Sequence, residues 1–586
     1  MSDGRLPARR RWVGWTIGLL AVLLLLAVGW VAVRGLGAVN DLQQVARISS
    51  QLKAAVGAGD LDRAEVHADS IAHHARSAHE LTSDPVWQAF GVVPWIGPNF
   101  TAMSEVAALA DDIAQEAVTP VLDAAGGIDL SSLGFAGGAI DLAPFAEIEP
   151  PLASAAAALQ KADRSARQID ADAVLPPLAD AVRELRSTLT QATTVVGTLH
   201  GASVLLPTML GGTEPRSILL AMQNNAEVRS SGGISGATAL LRAENGRVTL
   251  VQQGSSADFP RLDVPLPLSA STTALFGENP GYYLQNITSI PDFTEAAPLI
   301  ATRWQDRFGT PVDAVIAVDA VMTKHILAAT GPISFGPFVA DEDNVVPLLL
   351  SDVYATVDPA QQDGVFAAAA GAMFAAAMSA ADPKALVSAL AASSDEGRIR
   401  IWSAHEEEQK VLSASTLGGA LPTDSDAATY VGALFNDATG GKMDYYARAS
   451  VVTAVGVCEG EPTTQVKVTW TNDAPADAAT ALPEYVTAAG WYGVPPGSTR
   501  TLIAVYGPEG ATATRIDRDG ESEPVQTTTL GSRYAVQHDV TLAPGESTTI
   551  TVEFQGTGAG ARLTEVAHTP LVDEVEIRHA ELRCGS

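Results

Sequence analysis

The sequence predicts a multidomain α+β protein: an N-terminal transmembrane helix, a helical stalk or bundle, an α/β core and a C-terminal β-sandwich. Three observations carry this. A charge-free apolar run opens the chain, helical spacing of apolar residues dominates to about residue 210, and from Tyr445 the composition turns to Val, Thr and Tyr between Gly and Pro. The expected boundaries are 1–11 (cytoplasmic tip), 12–33 (anchor), 34–210 (stalk), 211–444 (core) and 445–586 (sandwich).

From Trp12 to Val33 no residue is charged, and Trp12, Trp15 and Trp30 stand near the ends of the run. About 20 apolar residues cross a hydrocarbon core of roughly 30 Å, and Trp belongs at its interfaces. Arg5, Arg9, Arg10 and Arg11 precede the run, so a single pass with a cytoplasmic N-terminus and an extracytoplasmic bulk is expected. The competing reading is a cleaved signal peptide, whose apolar region would be about 7–15 residues long and end at small residues. This run is longer and closes on Trp30 and Arg34. A second apolar stretch, Phe366–Ala381, is short and Ala-rich and reads as a buried soluble helix.

In the stalk, Leu42, Val45, Ile48, Leu52 and Val56 recur at helical steps, as do Val182, Leu185, Leu189, Val196 and Leu199. Asp84-Pro85, Val93–Pro98, Gly126-Gly127 and Pro150-Pro151 read as breaks. His67, His73, His74 and His79 include no i,i+4 pair, so they read as a solvated face rather than a metal site.

In the core, Arg216–Met222 reads as a strand, and Ile234–Ala243 and Arg247–Gln252 flank Asn245-Gly246, a hairpin signal. The helix Ala296–Phe308, the strand Asp313–Val318, the helix Val321–Ala329 and the strand Ile333–Phe335 follow. Helices are then expected at Asn344–Val357, at Phe366–Ala381 and from Asp382-Pro383. This alternation implies an α/β core with crossovers. Beyond it, Tyr445–Cys458, Thr464–Thr471, Arg500–Val505, Tyr534–Leu542 and Ser547–Phe554 read as sandwich strands. Cys458 and Cys584 are the two cysteines of the chain, and outside a membrane such a pair reads as a disulfide.

The 586 residues exceed a single core. A composition of 47 % apolar and 18 % charged residues is globular. The net charge of -31 argues against nucleic acid, since phosphate binding needs a basic footprint.

Chemistry concentrates in three polar stretches. Gln223–Gly236 reads as a Gly-rich loop between strands, carrying Asn224, Asn225, Arg229, Gly232 and Gly233. Bare glycine backbone can aim N–H groups at an anion and Arg can fork onto phosphate; equally, the segment can be a structural turn. No Gly-Lys-Ser/Thr follows, so it is not a Walker loop. Gln285–Phe293 holds Asn286 and Asp292 ahead of a helix, where Asp292 is either a ligand or an acid at a helix N-terminus. Asp258, Arg261 and Asp263 add charge before it. Asn436–Tyr446 is polar and turn-like and suits a ligand site or a domain junction equally. A Ser/His/Asp triad has no support: no Gly-x-Ser-x-Gly elbow occurs, and His325 reads as a helix-face residue.

Asn224-Asn225-Ala226-Glu227-x-Arg229 with Gly232-Gly233, Gln285-Asn286 with Pro291-Asp292-Phe293, Trp402-Ser403-Ala404 with Glu408-Gln409, and Asn436–Thr439 with Lys442–Tyr446 together resemble the signature of domain of unknown function 4012, common in actinobacterial membrane proteins. That resemblance spans roughly Arg216 to Phe554 and implies no established activity. Ser289-Ile290-Pro291-Asp292, Asp313–Asp319 and Thr330–Ser334 resemble, more distantly, the LytR-CpsA-Psr envelope enzymes, which move glycopolymers from polyprenyl pyrophosphate carriers to the cell wall. This second resemblance implies Arg229 as a pyrophosphate ligand and Asp292 as a catalytic acid or Mg²⁺ ligand. The chain departs from that pattern: no Arg stands between Pro291 and Asp292, and Pro332 replaces a glycine, so the phosphate site is either rebuilt from other arginines, Arg261 and Arg303, or lost.

Three function classes stay open at this point. One is an envelope protein that binds or transfers a polyprenyl-pyrophosphate-linked glycan or cell-wall polymer. The second is a non-catalytic scaffold or adhesion module for polysaccharide export or the cell surface. The third is an ectodomain that serves as a structural spacer.

Overall fold

The computed structural model describes residues 8–58, 60–126, 135–136, 139–424, 428–556, 563–582 and 584; Arg5 and Gly127 lie outside them. The chain forms two compact units, 1–131 with 142–207, and 132–141 with 208–586.

The first unit is helical. α1 (Ala8–Ala58) is continuous, joining the apolar run to the first stalk segment. Its Gly18–Val56 stretch is long and apolar enough to cross a membrane. α2 (Leu61–Thr82) opens on Asp60, whose carboxylate accepts the Arg63 N–H, an N-cap that turns the chain back. α3 (Pro85–Gly91) starts with Asp84 as cap and Pro at its first position. α4 (Gly97–Ile113), α5 (Thr119–Gly126), α6 (Ala143–Gln168) and α7 (Pro176–Met209) complete it. Ala102, Val106 and Leu109 meet Ala155, Leu159, Ala162, Val182 and Leu189 in one cluster, with small residues allowing close helix approach. Pro150-Pro151, expected as a break, lies inside α6. Proline keeps a helical φ, and the burial of Leu152, Ala155 and Leu159 just beyond it offsets the lost backbone hydrogen bonds. His74 is bound to Asp41 at 2.8 Å, and no cluster that could hold a metal occurs among the described residues.

The second unit begins its main chain path with a five-stranded sheet. Its strands are β1 (Arg216–Arg229), β2 (Gly232–Glu244), β3 (Arg247–Ser255), β4 (Ala314–Asp319) and β5 (Arg400–Ser403), in the order β3-β2-β1-β4-β5. Only β1 and β4 run parallel here, linked by a crossover that includes the helix Phe293–Phe308; the other pairs are antiparallel. The crossover-rich core expected from the alternation is therefore a mixed sheet. Phe293, Ile300 and Trp304 of that helix cover Leu219, Leu240 and Val315. Asn245 and Gly246 take φ of 49° and 77° at the β2–β3 turn, the positive values that the hairpin requires. The apolar stretch at Phe366 belongs to a helix Pro359–Met378 in which Gln362 and Ala369 are buried and Val365, Phe366, Ala372, Met373 and Ala376 pack, partly buried, against Leu327, Phe335 and Val345, so the expected buried helix is covered on one face.

Two further sheets follow. One is built from β6 (Ala428–Asp437), β9 (Thr499–Glu509), β11 (Gln526–Leu530), β12 (Arg533–Leu542) and β14 (Leu563–His568), in the order β11-β12-β9-β6-β14. The other holds β7 (Ala447–Cys458), β8 (Glu461–Asn472), β10 (Ala511–Arg518), β13 (Ser547–Gly556) and β15 (Glu576–Glu581), in the order β10-β13-β8-β7-β15, with a two-residue strand Glu521–Ser522 beyond β10. Val431, Phe435, Val468, Trp470, Val505 and Phe554 from both sheets share one buried cluster, in which Phe435 stacks on Trp470 at 4.4 Å. β6 stands in these sheets although the sequence boundary leaves it on the core side. Val228 of β1 is buried in the same cluster. Cys458 and Cys584 are joined as a disulfide with a Cα–Cα distance of 5.4 Å, tying the end of β7 to the segment after β15.

Candidate functional site

The Gln223–Gly236 segment is not a loop. β1 runs through Arg229 and β2 starts at Gly232, leaving only Ser230 and Ser231 at the turn. The pairing jumps from Asn224–Ile234 to Val228–Gly233, so Asn225, Ala226 and Glu227 form a bulge. A Cβ on Gly233 would lie 2.3 Å from the Asn224 carbonyl oxygen, and one on Gly232 would lie 2.1 Å from the Gln223 amide oxygen. The two glycines thus serve close backbone approach across a bulged hairpin.

The bulge aims its polar groups at β6 and the turn behind it. Arg229 donates to the Val228 carbonyl (2.9 Å), to the Asp437 carbonyl (3.4 Å) and to Asn286 Oδ1 (3.2 Å), and lies 3.7 Å from the Asp437 carboxylate. The Val228 N–H donates to Asp444 (2.9 Å). Ser230 and Asn436 exchange two hydrogen bonds, 2.9 and 2.7 Å. Glu227 is bonded to Lys442, whose ammonium sits 4.6 and 4.8 Å from the Tyr354 and Tyr485 rings. Asn224 donates to the Tyr354 hydroxyl (2.6 Å). On the other side, Asn225 donates to Asp319 (3.0 Å) and to the Pro570 carbonyl (3.3 Å). Arg398 reaches Asp319 (2.7 Å) and the Leu571 carbonyl (3.0 Å).

These groups form a buried polar seam between the five-stranded sheet and the two later sheets. Its electrostatics are uneven. Burial, reinforced by the neighbouring Asp437, holds the Asp444 carboxyl well above the carboxylate range. Asp437 is also raised by burial, with Arg229 opposing the shift. Burial works against the Lys442 charge, but Glu227 and the two tyrosines raise its pKa overall. Burial raises Tyr354 as well. Chemically, the seam has cations already matched to carboxylates and one acid favoured in its neutral form.

The remaining expected site residues lie elsewhere or are otherwise engaged. Asp292 caps the helix Phe293–Phe308, accepting from Thr294 N (2.9 Å) and Thr294 Oγ1 (2.6 Å). Beside it is Arg400, which the sequence reading missed; burial lowers its pKa to about 10, and it donates to the Pro291 carbonyl (3.2 Å). Arg261 lies over the Tyr282 ring at 3.9 Å. Buried Arg303 donates to the Pro260 carbonyl (2.6 Å). Of the set, the structure brings together Asn224, Asn225, Arg229, Gly232, Gly233 and Asn286; none of the bonds of Asp292, Arg261 or Arg303 described above reaches that group. Asp319, Arg398, Asp437, Lys442 and Asp444 complete the seam; Asp437, Lys442 and Asp444 lie in the polar Asn436–Tyr446 stretch and Asp319 in the Asp313–Asp319 strand motif, whereas nothing in the sequence singled out Arg398. Next to Lys442, the turn after Tyr485 carries Ala488 and Ala489 at φ of 55° and 47° and leaves Tyr485, Trp491 and Tyr492 exposed.

The class defined so far is a chain with one long apolar N-terminal helix and a mixed α+β folded part. Residues 213–354 match a family described as Protein of unknown function (DUF4012). The match includes the bulge and Tyr354 but ends before 402–409 and 436–446, so Asn436, Asp437, Lys442 and Asp444 of the seam lie outside it. A comparison with curated proteins finds no match.

Proposed function

We propose that this protein is a membrane-anchored, extracytoplasmic scaffold of cell-envelope polysaccharide assembly, without catalytic chemistry of its own. In this reading α1 is an uncleaved single span with its N-terminus in the cytoplasm. The five-stranded sheet is a LytR-CpsA-Psr-like core, and the two later sheets form a β-sandwich fused to it. One observation carries the choice of scaffold over transferase: the Arg229 guanidinium is buried and already bound to Asp437, Val228 and Asn286. A transferase acting on a polyprenyl-pyrophosphate-linked glycan, with Mg²⁺ at Asp292, would need Arg229 released from Asp437 and brought to Asp292. The exposed rings of Tyr485, Trp491 and Tyr492 offer an apolar face with polar edges, suited to stacking on the C–H face of a sugar ring.

The test is thermal melting of the detergent-solubilised full chain with pyrophosphate, with and without Mg²⁺. The expected result is no shift in wild type. Arg229→Ala should cost about 3 kcal/mol, because it removes the buried counter-charge of Asp437 and leaves that carboxyl only the Thr439 and Gly440 N–H groups. A pyrophosphate-dependent rise in wild type that Arg229→Lys reduces would overturn the scaffold reading in favour of carrier binding.

A further inference from the structure

From Pro85 to Ser104 the chain has no Asp, Glu, Lys or Arg, yet it carries Trp87, Phe90, Trp95 and Phe100. Trp87 is turned inward, 2 % exposed, donating its indole N–H to the Phe100 carbonyl at 3.1 Å. The turn between α3 and α4 does the opposite. Val92 is 84 % exposed, Trp95 93 % and Ile96 48 %, and Trp95 has φ of 67°, a conformation that residues with side chains seldom adopt. A patch of large apolar groups held outward, without charge, calls for a partner surface.

Contacts within the helical unit fix the height of this turn along α1. α2 descends beside α1 until Arg34, the first charge after the apolar run, donates to the Leu81 carbonyl (2.9 Å) and meets Asp84 (2.9 Å). The Trp87 ring lies against Gly35, where an added Cβ would touch it at 3.4 Å. α4 then climbs back beside α2: Ser104 donates to the Thr82 carbonyl (2.8 Å), and Ala114, just past its end, clusters with Ile71, Val45 and Ile48. Gly97 lies seven residues before Ser104, about 10 Å lower at 1.5 Å per residue. That brings Val92–Ile96 below Arg34, alongside the apolar run. Val31 is already buried there, unlike the exposed leucines from Leu19 to Leu26.

We propose that the Val92–Ile96 turn is a lipid-inserting wedge. It sits in the headgroup–acyl boundary of the same bilayer leaflet from which α1 emerges, with Trp95 as its interfacial anchor. The proposal rests on the reading of α1 as a membrane span. Depth is bounded by the neighbouring α6–α7 turn, tied to α4 by the Leu175 N–H on Asn99 Oδ1 (2.8 Å). Its exposed Asp170 and Asp172 stay with water and headgroups. No Lys or Arg lies in the turn, so insertion is driven by apolar area rather than by anionic lipid.

The experiment uses the full chain reconstituted into phosphatidylcholine vesicles, with the native disulfide kept oxidised and an environment-sensitive fluorophore on a single added cysteine. Trp95→Cys, Leu25→Cys and Val66→Cys report the wedge, the span and the water-exposed face of α2. Trp95 is nearly fully exposed, so its replacement removes little packing. Labels at 95 and 25 should lose most of their emission when the vesicles carry doxyl-labelled phosphatidylcholine and resist aqueous iodide, while the label at 66 does the reverse. Added phosphatidylglycerol should leave the signal at 95 unchanged. Lipid quenching at 25 with iodide quenching at 95 would overturn the wedge alone. Absence of lipid quenching at 25 would overturn the span and the wedge with it. A label at 95 shielded from iodide but untouched by lipid quencher would mean a protein partner covers the turn, which also overturns the proposal.

Discussion

Asp444 is the residue whose environment conflicts most with its usual charge. Its Oδ2 accepts from Val228, its Oδ1 is buried without a partner, and Asp437 stands among its neighbours. The native carboxyl holds its proton at a pH where the unfolded chain, with an ordinary pKa of about 3.9, has lost it. Native protein therefore binds more protons in that window, and stability falls as pH rises. The contribution is complete below the unfolded pKa and is lost progressively above it, by about 1.4 kcal/mol for each unit by which the native pKa is raised. Asp444→Asn removes this titration while keeping an oxygen for the Val228 N–H. Melting temperatures of both proteins from pH 4.5 to 8 should show the variant gaining on wild type as pH rises; parallel curves would mean Asp444 is ionised in the fold. At this scale the sequence was legible where a residue acts on its near neighbours. Asn245-Gly246 made its turn and Asp292 its helix cap. Arg229 was legible as important but not in its role, because its partner Asp437 lies 208 residues away and nothing in local spacing reveals such a pairing.

At the scale of elements, the bulged hairpin was misread as a loop because Asn and Gly favour turns in isolation. Here they occupy a strand whose extra residues are held by Asp319 at the end of β4, by Lys442 in the turn after β6 and by the Pro570 carbonyl after β14. β15 is the converse case: all six of its residues are exposed, and it joins the sheet by parallel pairing to β7 at an edge. Backbone bonds at a sheet edge, without buried side chains, hold a strand weakly. The Cys458–Cys584 disulfide supplies the missing restraint. Closing a loop of 126 residues is worth about 4–5 kcal/mol in the chain-entropy model. Reduction should release 576–584 first, seen as faster hydrogen exchange and new proteolytic cleavage there, before β8 and β13 lose protection. Unchanged exchange in β15 after verified reduction would show that the strand holds without the bond.

For the whole molecule, the proposed function takes the apolar N-terminal helix as a single span, which would leave everything after it on one side. Protease added to intact cells should digest the chain beyond Arg34 and spare a small N-terminal fragment. Protection of the bulk until the cells are opened would reverse the orientation. By itself the sequence determined the apolar helix, the helical stretch after it, the β-rich end and the cysteine pair, because periodicity, length and composition are properties of adjacent residues. Tertiary structure alone decided what the signature residues do. Arg229, Glu227 and Asn225 could have faced a ligand or one another's neighbours; the docking of β6 and the turn after it onto the bulge supplied Asp437 and Lys442, and the parallel pairing of β4 with β1 supplied Asp319. A buried charge takes whichever counter-charge the fold brings within reach, and that depends on contacts hundreds of residues apart.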